Sequence, residues 1–395
     1  MFDFNYKNLT KYLIVLVALI LVFGAGFYYG KNKVICNICK PEQVNFSLFW
    51  DAYNKLHEGF IDKENINENE IIYGAISGMT KSLGDPYTDF FDPSQAKIFQ
   101  QDLSGSFDGI GVEIGIKKDQ LTVISPLKGT PGERAGLASG DIIVAVDGKS
   151  TSNMTIDEAV SLVRGKRGTQ VELTVYRESW GQAKDIKITR DTIKIDSVSW
   201  ELKDLDVAYI KINQFNQSLP TEFTKIARDI MTSSAKKIIL DLRNNPGGYL
   251  EVCQDISGWF LKSGEIVTIE DFGSSKESKK YLAEGNGLLA NYPIVVLINS
   301  GSASASEILA GALRDNRGIK LVGEKSFGKG SVQEVVVLQD KVSFLKITVA
   351  KWLTPKGDSI SEVGLEPDVK VELDQENMQN DTQLNKALEI IKELK

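Results

Sequence analysis

The chain has little of what metal chemistry or histidine chemistry requires. Among its 395 residues there is one histidine, His57, and there are only three cysteines. Metal sites in proteins are built mostly from clusters of histidine, cysteine and acidic residues, so no metal site is predicted. A Ser-His-Asp triad would have to use His57, which lies in a polar helical pattern far from the serine-rich segment described below. The composition therefore argues against metalloenzymes and against histidine-dependent serine hydrolases.

The sequence also lacks a basic stripe. It contains 46 basic and 53 acidic residues, which give a net charge of −7 and a pI near 5.2. Proteins that bind nucleic acids concentrate positive charge on one face, so we expect no nucleic-acid partner. No cofactor is implied. The length indicates two or three domains rather than a single core.

The N-terminus carries a long apolar stretch, from Tyr12 to Tyr29, without a charged residue. Such a stretch is long enough for a transmembrane helix. We therefore predict a signal anchor and a single-pass protein of the cell membrane, with cleavage near Gly24 as the alternative. Cys36 and Cys39 follow directly, and either a small disulfide or a redox role is open for them.

A serine-rich segment joins the pattern of a buried strand to the pattern of a helix. The residues from Pro293 to Ile298 are apolar, and Asn-Ser-Gly-Ser-Ala-Ser-Ala-Ser-Glu follows them. The first turn of a helix presents free N–H groups, which suit an oxyanion. A serine nucleophile needs a base, and the candidate here is Lys329 in the turn Gly328-Lys329-Gly330. Its pKa would have to fall from about 10.4 to about 7 or 8, through burial or a nearby positive charge.

These motifs resemble the carboxyl-terminal processing peptidases, also called tail-specific proteases. The resemblance rests on Ser-Ala-Ser-Ala-Ser-Glu and on the downstream Phe-Gly-Lys-Gly-Ser-Val-Gln, at the spacing of the family. It implies that Ser304 is the nucleophile of a Ser-Lys dyad, that Lys329 is the base and that Gln333 supports the lysine. Ser302 and Ser306 are then structural. The resemblance also implies a cytoplasmic N-terminus and a catalytic body outside the cytoplasm, either periplasmic or extracellular.

A glycine turn follows another predicted strand, in Asp-Leu-Arg-Asn-Asn-Pro-Gly-Gly-Tyr. By resemblance, this turn supplies one N–H group of the oxyanion hole, from Gly247 or Gly248. Ala305, next to the nucleophile, supplies the second. An ordinary strand-to-helix turn is the alternative interpretation.

The middle of the chain changes to short strands and glycine turns that resemble a PDZ domain. The loop formed by Gly109, Ile110, Gly111 and Val112 leaves N–H groups free to hold a carboxylate. The strand after it offers an edge to which an extended peptide can add. Arg164, near the end of the next predicted helix, contacts the bound tail, contacts the protease body or lies in solvent.

We predict five regions and a mixed fold class. The core is an α/β protease core, similar to the ClpP and crotonase folds by resemblance, with an inserted, β-rich PDZ domain. A small N-terminal helical domain and one N-terminal transmembrane helix complete the prediction. The regions are 1–35 for the cytoplasmic tail and signal anchor, 43–103 for the helical domain, 104–190 for the PDZ domain, 191–373 for the protease core and 374–395 for a C-terminal helical tail.

The predicted function is that of a membrane-anchored serine endopeptidase. Its PDZ domain would recognise the C-terminal tails of protein substrates, and the dyad would cleave peptide bonds through an acyl-enzyme. The expected partners are protein substrates, bound by their C-terminal ends, and the membrane; a homodimer or a regulatory partner is left open. The alternative function is a catalytically inactive, membrane-tethered PDZ scaffold.

Overall fold

The computed structural model describes residues 15–25, 44–117, 119–373 and 380–394. The chain divides into two compact units, Met1–Glu70 and Ile71–Lys395. The predicted catalytic and PDZ residues all lie in the second unit. Cys36 and Cys39 lie outside the described residues, so their predicted roles stay predictions.

The N-terminal unit is helical. Residues 15–25 form a helix. Helix α1 covers Ser47–Gly59 and a short 3-10 helix covers Lys63–Asn65. Helix α2 covers Glu68–Lys81, and only its first three residues belong to this unit. No residue of α1 is buried, so its aromatic side chains are not part of a core.

The predicted transmembrane helix is wrong. Of the apolar stretch, the structure describes residues 15–25, which are helical. No helix within the described part of the chain is long and apolar enough to cross a membrane. The absence of charge in the sequence was therefore not sufficient evidence for a membrane anchor.

The second unit contains seven further helices in its described residues and all of the named strands. The helices are α3 Pro93–Ser104, α4 Pro131–Arg134, α5 Ile156–Val163, α6 Leu219–Thr232, α7 Leu250–Phe260, α8 Ala305–Arg317 and α9 Thr382–Glu393. The strands before the protease core are β1 Asp89–Phe91, β2 Ser106–Gly109, β3 Val112–Lys117, β4 Gln120–Pro126, β5 Ile142–Val146, β6 Lys149–Ser150, β7 Gln170–Tyr176, β8 Ala183–Thr189 and β9 Asp191–Lys194. The remaining strands are β10 Val198–Lys203, β11 Val207–Ile212, β12 Lys237–Asp241, β13 Ile266–Asp271, β14 Lys279–Leu282, β15 Ile294–Ile298, β16 Lys320–Gly323, β17 Ser331–Val337, β18 Phe344–Leu353 and β19 Val369–Lys370.

The core is an α/β sandwich around one largely parallel sheet, in agreement with the predicted core class. The strand order is β10-β11-β12-β15-β16-β19, and only β10 runs antiparallel to its neighbour. The strands are apolar runs because both faces of the sheet are covered. Phe223, Ile256 and Leu309 pack one face, and Ala387 and Ile391 of α9 pack the other. The carboxyl ends of β12 and β15 therefore meet at one edge, where sites form in such sheets.

A second sheet carries much of the cleft beside this edge. Its order is β1-β18-β13-β14, and β17 pairs with β18. The long strand β18 connects the two ends of this sheet, because it pairs with β1 at its start, with β17 along most of its length and with β13 at its end. The residues between β16 and β17 consequently reach the same cleft as the residues after β15.

The β-rich module is a separate sheet with its own core. Its order is β3-β4-β5-β7-β8, and β6 pairs with β5. Helix α5 begins with a capping box between Thr155 and Glu158, in which each side chain bonds the other residue's backbone. Such a box satisfies N–H groups that the first turn leaves free. Buried Ala159 and Val163 place α5 against the sheet.

Candidate active site

Ser304 stands between a buried strand and a helix. All residues of β15 are buried, and the chain turns through a short loop to Ser304, which directly precedes α8. Its backbone angles, φ 55° and ψ −117°, are unusual for a residue with a side chain. Strain of this kind costs on the order of 1–3 kcal/mol and is concentrated at functional sites. Ser304 lines a cavity of about 760 Å³.

The two flanking serines hold the loop that follows β12. Ser302 and Ser306 are fully buried. The hydroxyl of Ser302 donates to the carbonyl of Leu242 at 2.8 Å, and that of Ser306 donates to the carbonyl of Asn245 at 2.9 Å. Their hydroxyl protons are thus already committed, which matches the structural role expected for both.

Lys329 lies in the loop before β17 and lines the same cavity as Ser304. Gly330 is required next to it, because a Cβ there would lie 2.0 Å from the backbone nitrogen of Ser361. Burial lowers the pKa of Lys329 below that of a free lysine, and the positive charge of Lys346 lowers it further. The carboxylate of Glu307 acts in the opposite direction. The net direction is the one that a lysine base requires.

Ser304 and Lys329 are not hydrogen-bonded to each other. The hydrogen bonds of the described residues include none between Ser304 Oγ and Lys329 Nζ. In free enzymes such contacts are often long, and they tighten when substrate binds. The structure brings the two side chains to one cavity without forming the bond.

Glu307 connects the loop that carries Ser304 to the loop that carries Lys329. Its carboxylate accepts from the backbone N–H groups of Ser304 at 2.8 Å, Gly328 at 2.7 Å and Lys329 at 3.0 Å, and from the hydroxyl of Ser326 at 2.6 Å. The residue is fully buried, and burial raises the pKa of its carboxyl against the lowering effect of these bonds. Sequence reasoning missed this residue, although a glutamate three positions after a helix start is typical of a capping box.

The loop after β12 presents two glycines to Ser304. Gly247 has φ +97°, and a Cβ there would lie 2.8 Å from the Cβ of Ser304 and 2.9 Å from the nitrogen of Ala305. Gly248 has φ +148°, and a Cβ there would lie 2.1 Å from the carbonyl oxygen of Phe215. Only glycine satisfies both the backbone angles and these close approaches.

The predicted oxyanion donors differ in availability. The N–H of Gly247 donates to the side chain of Asn245 at 2.9 Å. In the described part of the chain, no acceptor is assigned to the N–H of Gly248 or of Ala305. Of the two glycines considered from the sequence, Gly248 is therefore the one with a free donor near Ser304.

A buried ion-pair network holds the other end of this glycine loop. Arg243 binds Asp241 and reaches Asp381, the N-cap of helix α9, with both of its terminal nitrogens at 2.8 Å. Such bidentate pairs are short, strong and directional. Helix α9 thereby anchors the loop that carries Gly247 and Gly248.

Gln333 lines the cavity but does not bond Lys329 in this structure. Its side-chain nitrogen donates to the hydroxyl of Ser331 at 2.6 Å. The register of β17 against β18 shifts between Val332 and Gln333. A bulge of this kind re-aims side chains, which is why the direction of Gln333 could not be deduced from strand alternation.

Four of the predicted PDZ residues lie where β2 ends and β3 begins. Ile110 is buried, and Gly111, with φ +70°, accepts bonds at its carbonyl from Leu127 N–H and the Thr130 hydroxyl. Gly109 pairs with Asp191 at the end of β2, and Val112 begins β3. The residues therefore form a tightly held turn directly before the strand that would carry a peptide.

Arg164 contacts the helix before the module. Its guanidinium pairs with Asp102 of α3 at 2.7 Å and lies 4.3 Å from the ring centre of Phe107. One of its nitrogens is buried without a partner. This contact is with α3, in the region predicted as the helical domain, and not with the protease core; a contact of Arg164 with a bound tail stays a prediction.

His57 belongs to the other unit. Its ring nitrogens contact Glu68 at 2.8 Å and the carbonyl of Tyr53 at 3.0 Å. Tyr53 also donates to Glu68 at 2.6 Å. Both ring nitrogens of His57 therefore have a partner, and these partners belong to α1 and α2.

Comparison with protein families and known proteins finds the same three parts. Residues 206–371 match peptidase family S41, residues 122–177 match the PDZ domain, and residues 24–94 match the N-terminal domain of the activating protease CtpB. The chain is 37% identical to the carboxy-terminal processing protease CtpA of Bacillus subtilis (strain 168), over 93% of this chain and 78% of that protein. It is 38% identical to a probable CtpA-like serine protease of Staphylococcus aureus (strain MRSA252), over 91% of this chain and 71% of that protein.

Among solved structures, the photosystem II D1 C-terminal processing protease is similar. It aligns with a TM-score of 0.54 and 29% sequence identity, over 83% of this chain and 89% of that chain. The similarity includes most of the chain rather than an isolated module.

Proposed function

The chain belongs to peptidase family S41 and is a carboxy-terminal processing serine protease with a PDZ domain, and we propose that Ser304 and Lys329 perform its reaction as a nucleophile–base dyad. The observation that carries the proposal is the convergence of both side chains on one cavity. The lowered pKa of Lys329 supports it, because a lysine base must be neutral before the reaction begins.

The reaction follows from this arrangement. Neutral Lys329 takes the proton of Ser304 Oγ as the oxygen attacks the carbonyl carbon of the scissile bond. The N–H groups of Gly248 and Ala305 stabilise the negative charge that develops on the carbonyl oxygen. Lys329 then gives its proton to the leaving amine, and an acyl-Ser304 ester remains. Water deprotonated by Lys329 hydrolyses this ester and restores the hydroxyl.

The roles of the surrounding residues are to hold these groups. Glu307 ties the two loops together through backbone N–H groups, and Arg243 fixes the loop of Gly248. Gln333 is proposed to turn from Ser331 towards Lys329 when substrate fills the cavity, since both side chains line it. A crystal structure of a substrate complex in which Gln333 still donates to Ser331 would remove Gln333 from the mechanism.

A serine-reactive probe tests the dyad directly. A fluorophosphonate should label the wild-type protein once, on Ser304, and the labelling rate should rise with pH as Lys329 loses its proton. Peptide mapping identifies the labelled residue. The matched control is Ser275→Ala, because Ser275 is an exposed serine in the same cavity. Labelling that survives Ser304→Ala, or no labelling of the wild type, would favour the inactive scaffold.

The PDZ domain is proposed to bind the carboxyl terminus of the substrate through the turn of Gly109 to Val112. Backbone N–H groups in such a turn suit a carboxylate. Amidation of the C-terminus of a peptide substrate should therefore raise KM by roughly 10-fold, the effect of one charge-assisted hydrogen bond, with kcat little changed. Steady-state kinetics on the matched free-acid and amide peptides measures the ratio. Equal KM values for the two peptides would show that the terminal carboxylate does not contribute to substrate binding.

A further inference from the structure

A second buried carboxylate faces the same cavity as Ser304. Glu270 lies on β13 opposite Trp352 of β18, and it lines the cavity together with Ser304 and Lys329. It is only 7% exposed. No step of the reaction described above uses this residue.

The carboxylate of Glu270 is only half satisfied. One oxygen accepts from the hydroxyl of Tyr281 at 2.8 Å. The second oxygen has no donor among the hydrogen bonds and ion pairs of the described residues. A carboxylate can accept about four hydrogen bonds, and this second oxygen is not one of the fully buried polar atoms that lack a partner, so it is open to the cavity. The site therefore retains an acceptor for a group that arrives with a ligand.

The walls around Glu270 are aromatic. Tyr281 and Trp352 lie edge to face with ring centres 5.8 Å apart, and Phe272 lines the cavity beside them. Aromatic faces pack against the methylene stem of a lysine or arginine and attract its charged end. A pocket with aromatic walls and a carboxylate acceptor thus has the chemistry that recognises a basic side chain.

The nearby lysines leave this acceptor open. Lys279 lies across from Glu270 on β14 and is exposed, and its amine lies 4.3 Å from the ring centre of Tyr281. Tyr281, and to a lesser extent the negative charge of Glu270, raise the pKa of Lys279. Lys276 is exposed and lies 5.0 Å from the ring centre of Phe272. Neither forms an ion pair with Glu270 within the described residues. The other acidic side chains of this wall, Glu251 and Glu334, are exposed at the rim and add negative potential.

We propose that Glu270 forms a specificity subsite that receives one lysine or arginine side chain of the substrate near the scissile bond. The proposal rests on the proposed function, because a subsite is defined by the cleavage that follows. It adds a preference within the cleft to the recognition of the substrate tail by the PDZ domain.

The test uses two matched series of tail peptides. One series carries a single lysine at each position near the cleavage site, and the other carries norleucine, which keeps the stem and lacks the charge. At one of these positions, the wild-type enzyme should cleave the lysine peptide with a kcat/KM about 10- to 100-fold higher than that of the norleucine peptide. This ratio is the effect of a hydrogen bond to a charged group. Glu270→Gln should bring this ratio close to one, because its amide oxygen still accepts from Tyr281 but carries no negative charge.

Controls separate this subsite from the general charge of the cleft. Glu334→Gln removes an exposed carboxylate from the same cavity and should keep the lysine preference. Glu270→Lys should reverse the preference, so that a glutamate peptide is cleaved faster than its lysine counterpart. A wild-type ratio near one at every position overturns the proposal, whatever the variants do, and so does a ratio that survives in Glu270→Gln. Failure of the wild type to cleave either series would instead count against the proposed function.

Discussion

Replacing Lys329 by alanine should stop peptide cleavage as completely as replacing Ser304 by alanine. Each change removes one half of a unit in which the oxygen cannot attack until the amine takes its proton. We expect each single variant to lose on the order of 10⁵-fold in kcat, and the double variant to lose little more, because residues that act together are not additive. The kcat of the three variants and the wild type on one tail peptide measures this directly.

Two control variants make the result specific. Lys325 lies four residues before Lys329 but is exposed and pairs with Glu366 at 3.2 Å, so Lys325→Ala should keep full activity. His57 bonds Tyr53 and Glu68 in the other unit, so His57→Ala should leave the chemical step nearly unchanged. Normal turnover by Lys329→Ala would show that Lys329 is not the base. Loss of turnover in His57→Ala would make His57 the candidate base.

Local sequence patterns predicted the scaffold of the site well. The strand β11 begins and ends at the residues expected, Val207 and Ile212, and helix α6 extends only one residue beyond the predicted end. The strand is a buried apolar run, and the helix has apolar residues at helical spacing on the face that packs against the sheet. Hydrophobicity and its period along the sequence are therefore enough to predict both elements. The position of Ser304 between β15 and α8 follows from the same pattern.

The parts that could not be predicted depend on contacts between distant residues. Arg243 and Asp381 are 138 positions apart in the sequence, and nothing local indicates that α9 anchors the glycine loop. The choice between Gly247 and Gly248 depends on one side-chain direction, that of Asn245. Lys346 lies near the start of strand β18, and no sequence signal places its charge close enough to Lys329 to affect its pKa.

The N-terminal prediction failed for a different reason. Hydropathy over Tyr12 to Tyr29 describes composition, whereas a membrane span also requires one continuous helix of sufficient length. No helix within the described residues has the length and the apolar character that a span needs. The location outside the cytoplasm, which came from family resemblance, stays a prediction.

Glu307→Gln should reduce kcat by roughly 10- to 100-fold, because a displacement of about 1 Å in a catalytic loop can cost that much. Its carboxylate accepts from four donors, whereas an amide would turn an NH₂ group towards two of them. The loops of Ser304 and Lys329 would then lose their common support. Thermal unfolding checks that the variant remains folded, since a lower activity alone would also follow from partial unfolding.

The pH dependence of activity shows whether Glu307 acts on the charge state of Lys329 or only supports the two loops. Activity requires neutral Lys329, so it should rise with pH through the pKa of Lys329, which lies below that of a free lysine. Glu307 raises that pKa and Lys346 lowers it. Removing the negative charge in Glu307→Gln should therefore move the rising limb to lower pH, and removing the positive charge in Lys346→Met should move it to higher pH.

The two shifts must have opposite signs if the electrostatic account is correct. Methionine keeps most of the stem that Lys346 packs near the rings of Phe91 and Phe99, and Lys346→Arg, which keeps the charge, should leave the limb near its wild-type position. If turnover by Glu307→Gln is too slow to follow, the pH dependence of the rate at which the serine-reactive probe labels Ser304 can be measured instead, because it should rise over the same pH range. Shifts in the same direction for Glu307→Gln and Lys346→Met, or a limb that neither change moves, would mean that a group other than Lys329 sets the pH dependence.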